Sequence, residues 1–468
     1  MNRKQLLLKR HRRNKRIALF IGFLLLLKVG IFVAWWLPPI LAVLLWVAHE
    51  AWFADSLFYS PKDNYEYAFP AGSEQPGLRL ESGQLFLDTP LGADETLIVG
   101  VELKSTWLGR FVDPAVELRG LGTRDRQVFE RGVAGFRYLN LTGAAEALSA
   151  GKITLRGRFC RIKGQPTLWR FRHADYQQQR VMVIAPHADD AELAAFALYS
   201  QAAESWIVTL TAGEIEAEHY RKMGMPKAEA ARIKGRLRAW DSIAVPRWAG
   251  VPEAQCVQLG YFCMRLQAMQ AEPSQPKASR EAELSDTRLF RQFNAFTLPG
   301  DEDGAPTWNN LIADLRALLL KARPQVVVLP TPLLDPHADH ICAHAATLEA
   351  LKGLEWQPDT LLGYANHLHD NDRWPMGDSG AGVALPPHFY AGGEFVPCSF
   401  SLTLSQQHDK AMALGMMHDL QPRPPFKRRV RRVVQRILAG RRPSPYGEDE
   451  FFRKAVRRHE LLWVLKQD

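Results

Sequence analysis

Residues 181–200 read VMVIAPHADDAELAAFALYS and join an apolar run, a charged turn and an alanine-rich segment. The run VMVIA is continuously apolar, as in a strand that is buried on both faces of a parallel sheet. The residues after Asp190 have the composition of a helix, and SWIVTLTAGE at 205–214 is typical of a second strand. Strand, helix and strand in this order predict a βαβ unit.

The same scheme returns at 311–332, in LIADLRALLLKARPQVVVLPTP. An amphipathic helix is interrupted at Pro324, and the buried strand 326–329 follows. We therefore predict an α/β fold with a doubly wound parallel sheet for residues 178–421. In such sheets the chemistry lies at the carboxyl ends of the strands.

The rest of the chain has a different pattern. Residues 65–175 contain short runs that alternate polar and apolar positions between Gly, Pro, Asp and Asn clusters, which predicts an antiparallel β-sandwich. Residues 17–47 are apolar except for Lys28 and Pro38-Pro39, which predicts a membrane segment, either a single pass or a helical hairpin. The predicted order is a basic head (1–16), a membrane segment (17–59), a β-sandwich (65–175), an α/β domain (178–421) and a basic helical region (422–468).

The net charge of +9 is concentrated at the two ends of the chain. Neither basic run is interleaved with aromatic residues as a base-stacking surface would be, so no nucleic-acid partner is expected. Basic ends beside an apolar segment predict membrane lipids as partners and a bacterial inner-membrane location with the N terminus in the cytoplasm. The α/β domain would then be cytoplasmic, or periplasmic if the segment crosses once.

The chain has five cysteines, which are scattered and form no CxxC pair. This spacing argues against a disulfide framework and against a thiolate zinc site.

Two polar clusters follow the predicted strands. HADD at 187–190 comes after the first strand, and DPHADH at 335–340 comes after strand 326–329. An Asp pair before a helix is a good N-terminal cap, but capping does not account for the histidine. Catalytic zinc takes three protein ligands and leaves a position for water, and His187, Asp190 and His340 can supply that set.

The remaining side chains of the clusters suit the chemistry of metal-bound water. Asp189 is placed to act as the general base on this water. His337 can stabilise an oxyanion or protonate a leaving amine. Asp339 or Asp335 can orient His337 or a metal-bound histidine without contacting the metal.

These motifs resemble the PIG-L/LmbE family of de-N-acetylases, which act on N-acetylglucosamine-containing substrates. APHADDAEL at 185–193 is similar to the first metal motif of the family, and RPQVVVLPTPLLDPHADH at 323–340 to the second. TAGE at 211–214 and KAMALGMMHDLQ at 410–421 add support, so the resemblance covers about 180–421.

The resemblance implies a Rossmann-like zinc hydrolase that removes the acetyl group from a 2-acetamido sugar in a glycolipid or in a cell-surface polysaccharide precursor such as lipopolysaccharide core. It implies Zn²⁺, or another divalent metal such as Fe²⁺, with His187, Asp190 and His340 as ligands. It also implies that Asp189 is the general base and that His337 is the oxyanion or acid residue. It also implies that Arg232 faces the substrate. The chain departs from the family at Gly235, where a Glu is common, and in LGYFCMRL at 259–266, which lacks the Asp-Gly often seen there.

Two other functions fit parts of the sequence. One is a membrane-anchored glycan-binding or scaffold protein with an idle α/β domain, although an idle domain would be free to lose a ligand or the base. The other is a different metal-dependent hydrolase such as a phosphoesterase, although two-metal phosphoesterases need more bridging side chains.

Overall fold

The structure is a computed structural model that describes residues 3–71, 73–92, 95–389 and 394–466. The outermost residues of the predicted basic head and of the predicted C-terminal region lie outside these ranges.

The N-terminal part is helical and is interrupted near the proline pair. Helix α1 spans Arg3–Phe32 and helix α2 spans Leu37–Ala48. The first half of α1 is basic, and the 12 residues of α2 extend about 18 Å. Among the described helices, none is both long enough and apolar enough to span a bilayer. The predicted membrane segment at 17–59 and the predicted inner-membrane location are therefore wrong.

Two antiparallel sheets follow. Their orders are β1-β2-β7-β4-β5 and β6-β3-β8. Apolar side chains of both sheets, including Leu85, Val99 and Leu155, form one shared core. The elements are β1 (Leu78–Glu81), β2 (Gln84–Leu87), β3 (Glu95–Ser105), β4 (Ala115–Leu121), β5 (Thr123–Val128), β6 (Ala134–Asn140), α3 (Ala145–Ser149), β7 (Thr154–Arg158) and β8 (Cys160–Arg172).

The third sheet has seven strands, in the order β11-β10-β9-β12-β13-β15-β14. The strands are β9 (Arg180–Ala185), β10 (Glu204–Thr211), β11 (Cys256–Tyr261), β12 (Val326–Pro330), β13 (Thr360–Tyr364), β14 (Val396–Ser401) and β15 (His459–Leu465). Strands β9 to β13 are parallel, whereas β15 runs antiparallel to both β13 and β14.

The predicted fold class, a doubly wound parallel sheet, is therefore wrong, because this sheet is mixed. The strand–helix–strand pattern predicted parallel strands at β9–β10 and at β12–β13, where each crossover is short, whereas the parallel pair β9–β12 joins distant segments. Strand β15 enters the sheet from the far C terminus, next to a strand almost 100 residues earlier, which local patterns do not encode. The predicted domain boundaries stay a prediction.

Helices cover both faces of the seven-stranded sheet. Alternate residues of β9 point to opposite faces. Val181 and Val183 join one apolar core with α4 and α11, while Met182 and Ile184 join the other with α9 and α10. The helices are α4 (Asp190–Tyr199), α5 (Glu218–Arg221), α6 (Lys227–Trp248), α7 (Leu266–Ala271), α8 (Arg288–Arg291), α9 (Trp308–Ala322), α10 (Ala338–Leu351), α11 (Leu404–Met416), α12 (Phe426–Leu438) and α13 (Glu450–Ala455).

A buried ion pair ties the added strand β15 to the helix that carries the first polar cluster. Lys410 Nζ on α11 lies 2.6 Å from Glu460 Oε1 on β15 and donates to the Leu193 carbonyl of α4 at 3.0 Å. The other carboxylate oxygen of Glu460 accepts from the Ala197 amide at 2.8 Å. Because both side chains are buried, removal of one partner would leave an uncompensated charge. The pair therefore fixes α4, which begins at Asp190, against the sheet.

Candidate metal centre and active site

The carboxyl ends of three neighbouring parallel strands carry the candidate site. His187 follows β9, the second polar cluster follows β12, and Asn366 follows β13. The strand order reverses between β9 and β12, since the chain moves from β9 outward to β11 and then returns to the other side. A crevice at such a reversal is the usual ligand site of an open α/β sheet.

The three predicted metal ligands lie together. Asp190 Oδ2 is 3.1 Å from His187 Nδ1 and 3.2 Å from His340 Nε2. The His187 backbone amide donates to the same oxygen at 2.9 Å. The other oxygen, Asp190 Oδ1, accepts from Asn366 Nδ2 at 2.8 Å. The carboxylate is thus held with one oxygen facing both imidazoles.

Asp335 orients the buried His340. Its Oδ2 lies 2.9 Å from His340 Nδ1 and accepts from the backbone amides of Asn366 and His367 at 3.0 and 3.1 Å. A carboxylate bonded to one ring nitrogen leaves the other free for a metal and fixes the ring. The structure places Asp335 in the orienting position that the sequence predicts for it or for Asp339.

The buried imidazole of His340 and the carboxylates beside it shift each other's pKa values. Burial disfavours protonated His340, but the carboxylates of Asp190 and Asp335 outweigh burial and raise its pKa to about 10. Burial also opposes ionisation of Asp335, yet His340 beside it lowers the pKa of that carboxyl to about 2. A protonated His340 would offset part of the negative charge of these two carboxylates, and a divalent cation bound here would take the place of that proton.

The donor set fits a divalent metal. Ring nitrogens of His187, His337 and His340 lie within 4.8 Å of one another. His340 Nε2 is buried and, although 3.2 Å from Asp190 Oδ2, is not aligned for a hydrogen bond with it. Two imidazoles and one carboxylate are ligands that zinc accepts with a position left for water.

His337 lies beside this set but differs in its surroundings. Its ring is 5.0 Å from the ring of His187 and 4.9 Å from that of His340, and it stacks on His367 at 5.2 Å. Burial, and then the neighbouring imidazoles, lower the pKa of His337 to about 3. Its Nδ1 is buried and has no hydrogen-bond partner among the described residues. A neutral His337 can donate a hydrogen bond to a developing oxyanion.

Asp189 begins the N-terminal turn of α4 and faces an arginine. Arg238 Nη2 on α6 donates to Asp189 Oδ1 at 3.2 Å, and Arg238 Nη1 donates to Asp419 Oδ2 at 2.5 Å. Arg238 is only 6% exposed, so the guanidinium is a fixed support for both carboxylates. The sequence did not predict this contact.

Arg232, the predicted substrate residue, lies elsewhere. Its guanidinium donates to the carbonyls of Ala282 and Glu283 at 2.8 and 3.4 Å, within the long connection that follows β11. Arg232 and Arg238 both lie on α6, six residues apart, so they point about 120° away from each other. The structure does not bring Arg232 into contact with the predicted ligands.

The structure adds Arg238, Asn366, His367 and Cys263 to the side chains around the site. Asn366 and His367 directly follow the buried strand 360–364, so the strand-end rule that found His187 would also have found them. Cys263 follows β11 by the same rule. No comparable local signal distinguishes Arg238 from the other basic residues of α6.

Comparison with known proteins matches one part of the chain to a family. The PIG-L model, described as GlcNAc-PI de-N-acetylase, matches residues 182–351. None of the curated proteins matches the chain.

Two solved structures are similar in part. One is the zinc-inhibited form of a teicoplanin deacetylase, with 16% identity, 62% of this chain and 99% of that chain covered, and a TM-score of 0.34. The other is 4-carboxy-2-hydroxymuconate hydratase of Pseudomonas putida, with 13% identity, 56% and 84% coverage, and a TM-score of 0.31. The assignment therefore rests on the matched residues, which include both polar clusters. Through residues 182–351 the chain contains a domain of the PIG-L family of de-N-acetylases.

Proposed function

We propose that this chain is a zinc-dependent hydrolase that removes the N-acetyl group of a 2-acetamido sugar. The observation that carries the proposal is that His187 and His340 both face one carboxylate oxygen of Asp190. The side chain of the preceding residue, Asp189, makes no hydrogen bond to these three side chains among the described contacts and is held by Arg238. The family match at 182–351 supports a hydrolytic enzyme and an N-acetylated sugar as substrate.

Each side chain has a distinct task in this proposal. His187, Asp190 and His340 would hold the metal, which supplies an acidified water and polarises the amide carbonyl. Asp189 accepts the proton of the attacking water, and Arg238 keeps its carboxylate in place. His337 donates to the oxyanion of the tetrahedral intermediate, and the amine leaves with the proton that Asp189 accepted.

For the carrier of the sugar we propose a glycolipid or a cell-surface polysaccharide precursor, such as the lipopolysaccharide core. The family description names a glycolipid, GlcNAc-PI, as the substrate of its members, which favours a lipid-linked sugar over a free one.

Acetate release tests the proposal. The purified full-length chain, supplied with zinc, is incubated with N-acetylhexosamine glycolipids, nucleotide sugars and free N-acetylglucosamine. We expect acetate from at least one lipid-linked sugar and a lower kcat/KM for the free sugar. Phosphoester substrates are tested in parallel, and phosphate release from them, without acetate from any N-acetyl sugar, would contradict the proposal in favour of a phosphoesterase.

Arg238→Lys tests the support given to Asp189. Lysine keeps the charge but loses the two-nitrogen fork that bridges Asp189 and Asp419, so the base is held less firmly. We expect kcat for acetate release to fall about 10- to 100-fold with KM changed little, because misplacement of a reacting group acts on the chemical step. Arg232→Lys, on the same helix, is the matched control and should retain kcat within about twofold. Equal effects of the two variants would show that Arg238 has only a structural role.

A further inference from the structure

His187 presents its second ring nitrogen to a different pair of side chains. Nδ1 faces Asp190, whereas Nε2 lies 3.4 Å from Asp339 Oδ2 and 3.7 Å from Cys263 Sγ. The third separation, from Cys263 Sγ to Asp339 Oδ2, is 3.5 Å. Nitrogen, oxygen and sulfur thus form a small triangle on the side of the imidazole that faces away from Asp190.

Backbone contacts hold this triangle in place. The Met264 amide donates to Asp339 Oδ2 at 2.7 Å, and the Cys263 amide donates to Glu214 Oε2 at 3.0 Å. Asp339 is fully buried, and Cys263 is 5% exposed. The second oxygen, Asp339 Oδ1, is buried and has no hydrogen-bond partner among the described residues. A buried carboxylate with an unsatisfied oxygen is costly unless a cation or a donor completes it.

The separations match a metal polyhedron better than a set of hydrogen bonds. An N–H···O bond is normally about 2.7–3.2 Å long, shorter than the contact between His187 and Asp339. Around a tetrahedral zinc with its usual bond lengths, the ligand atoms are about 3.4 Å apart for N–O and about 3.6 Å apart for both S–O and S–N. The three observed edges differ from these values by about 0.1 Å or less.

We propose that His187 Nε2, Cys263 Sγ and Asp339 Oδ2 form a second binding position for a soft divalent cation such as Zn²⁺, Co²⁺ or Cd²⁺. Thiolate and imidazole ligands select such ions over Mg²⁺ and Ca²⁺. The cysteine spacing argued against a thiolate zinc site because it contains no CxxC pair, but one thiol suffices when the fold supplies the other two ligands. On binding, the thiol of Cys263 releases its proton to solvent, and His187 gives up a proton from Nε2.

This position is separate from the one proposed for catalysis. It takes no ligand atom from Asp190 or His340, and the two positions share only the imidazole of His187, each through its own nitrogen. The inference does not depend on acetate release, because its test measures the metal directly.

Cobalt absorption provides that test. The full-length metal-free chain is titrated with Co²⁺, and the thiolate-to-cobalt charge-transfer band in the near ultraviolet is recorded beside total bound cobalt. We expect the band in the wild type and its loss in Cys263→Ser, with bound cobalt lower by about one ion per chain. Cys256→Ser is the matched control, since Cys256 is equally buried at the opposite end of β11, and it should keep the band.

A third variant separates the two positions. His340→Ala removes a ligand of the catalytic position only, so the band should persist. Loss of the charge-transfer band in His340→Ala would show that Cys263 binds the ion of the catalytic position. A wild type that binds cobalt without the band would also overturn the proposal. Thermal unfolding of each metal-free variant checks that the fold is retained. If the bands behave as expected and no acetate is released, the proposed function fails while this cation position stands.

Discussion

Asp189→Asn should bind zinc as the wild type does and lose most of its acetate release, with kcat lower by about 10²- to 10⁴-fold, the usual contribution of a general base. Asparagine keeps the size of the side chain and an oxygen for Arg238, but it cannot accept the proton of the attacking water. Asp189 makes no hydrogen bond to His187 or His340 among the described contacts, so the metal should remain. Measurement of kcat and metal analysis of the same preparation check the loss of acetate release and the retention of zinc.

Asp359→Asn is the matched control for this variant. Asp359 is exposed and immediately precedes β13, at the amino end of the parallel strands, opposite the site. Its kcat should stay within about twofold of the wild type. If Asp189→Asn retains zinc and releases acetate at the wild-type rate, Asp189 is not the base.

His340→Ala should remove the catalytic metal and, with it, all measurable acetate release. The side chain is fully buried between Asp190 and Asp335, so its loss removes one ligand and leaves two carboxylates without a counter-charge. The variant is best made in the Cys263→Ser background, because zinc retained at the second position would otherwise be counted. We expect less than about one tenth of an ion per chain after dialysis, against about one ion for Cys263→Ser alone.

Two further variants provide an intermediate case and a control for the loss of zinc. Asp335→Asn keeps every proposed ligand but weakens the orientation of His340, and we expect its zinc affinity to fall about 10- to 100-fold. His408→Ala removes an exposed histidine of α11 and should leave zinc binding unchanged. Full zinc occupancy in the His340→Ala double variant would show that this histidine is not a ligand.

The part of the site that was predictable from sequence is the part encoded locally. HADD and DPHADH each begin within five residues of the end of a buried strand, and the carboxyl ends of parallel strands lie at the same edge of a sheet. The contacts of Asp335 with His340 and of Asp339 with His187 also lie within these two clusters.

The parts that sequence reasoning missed depend on contacts between distant segments or on helical phase. Arg238 reaches Asp189 because of its angular position on α6, and the composition of that helix does not reveal which arginine faces the site. Strand β15 joins the sheet antiparallel from the far end of the chain, so its pairing partner cannot be read from local periodicity. The apolar run at 17–47 resembled a membrane segment only because hydropathy does not show where a helix breaks, and the structure ends α1 at Phe32 and starts α2 at Leu37.

The most direct test of the central claim is a product balance on a zinc-loaded chain with a lipid-linked N-acetylglucosamine substrate. Acetate is quantified beside the free amine of the sugar, for the wild type and for Asp189→Asn at equal bound zinc. We predict one amine for each acetate in the wild type, and formation of both products about 10²- to 10⁴-fold slower in the variant. Equal product formation by the two proteins, or no amine from any 2-acetamido sugar with zinc bound, would contradict the claim that this site is a de-N-acetylase.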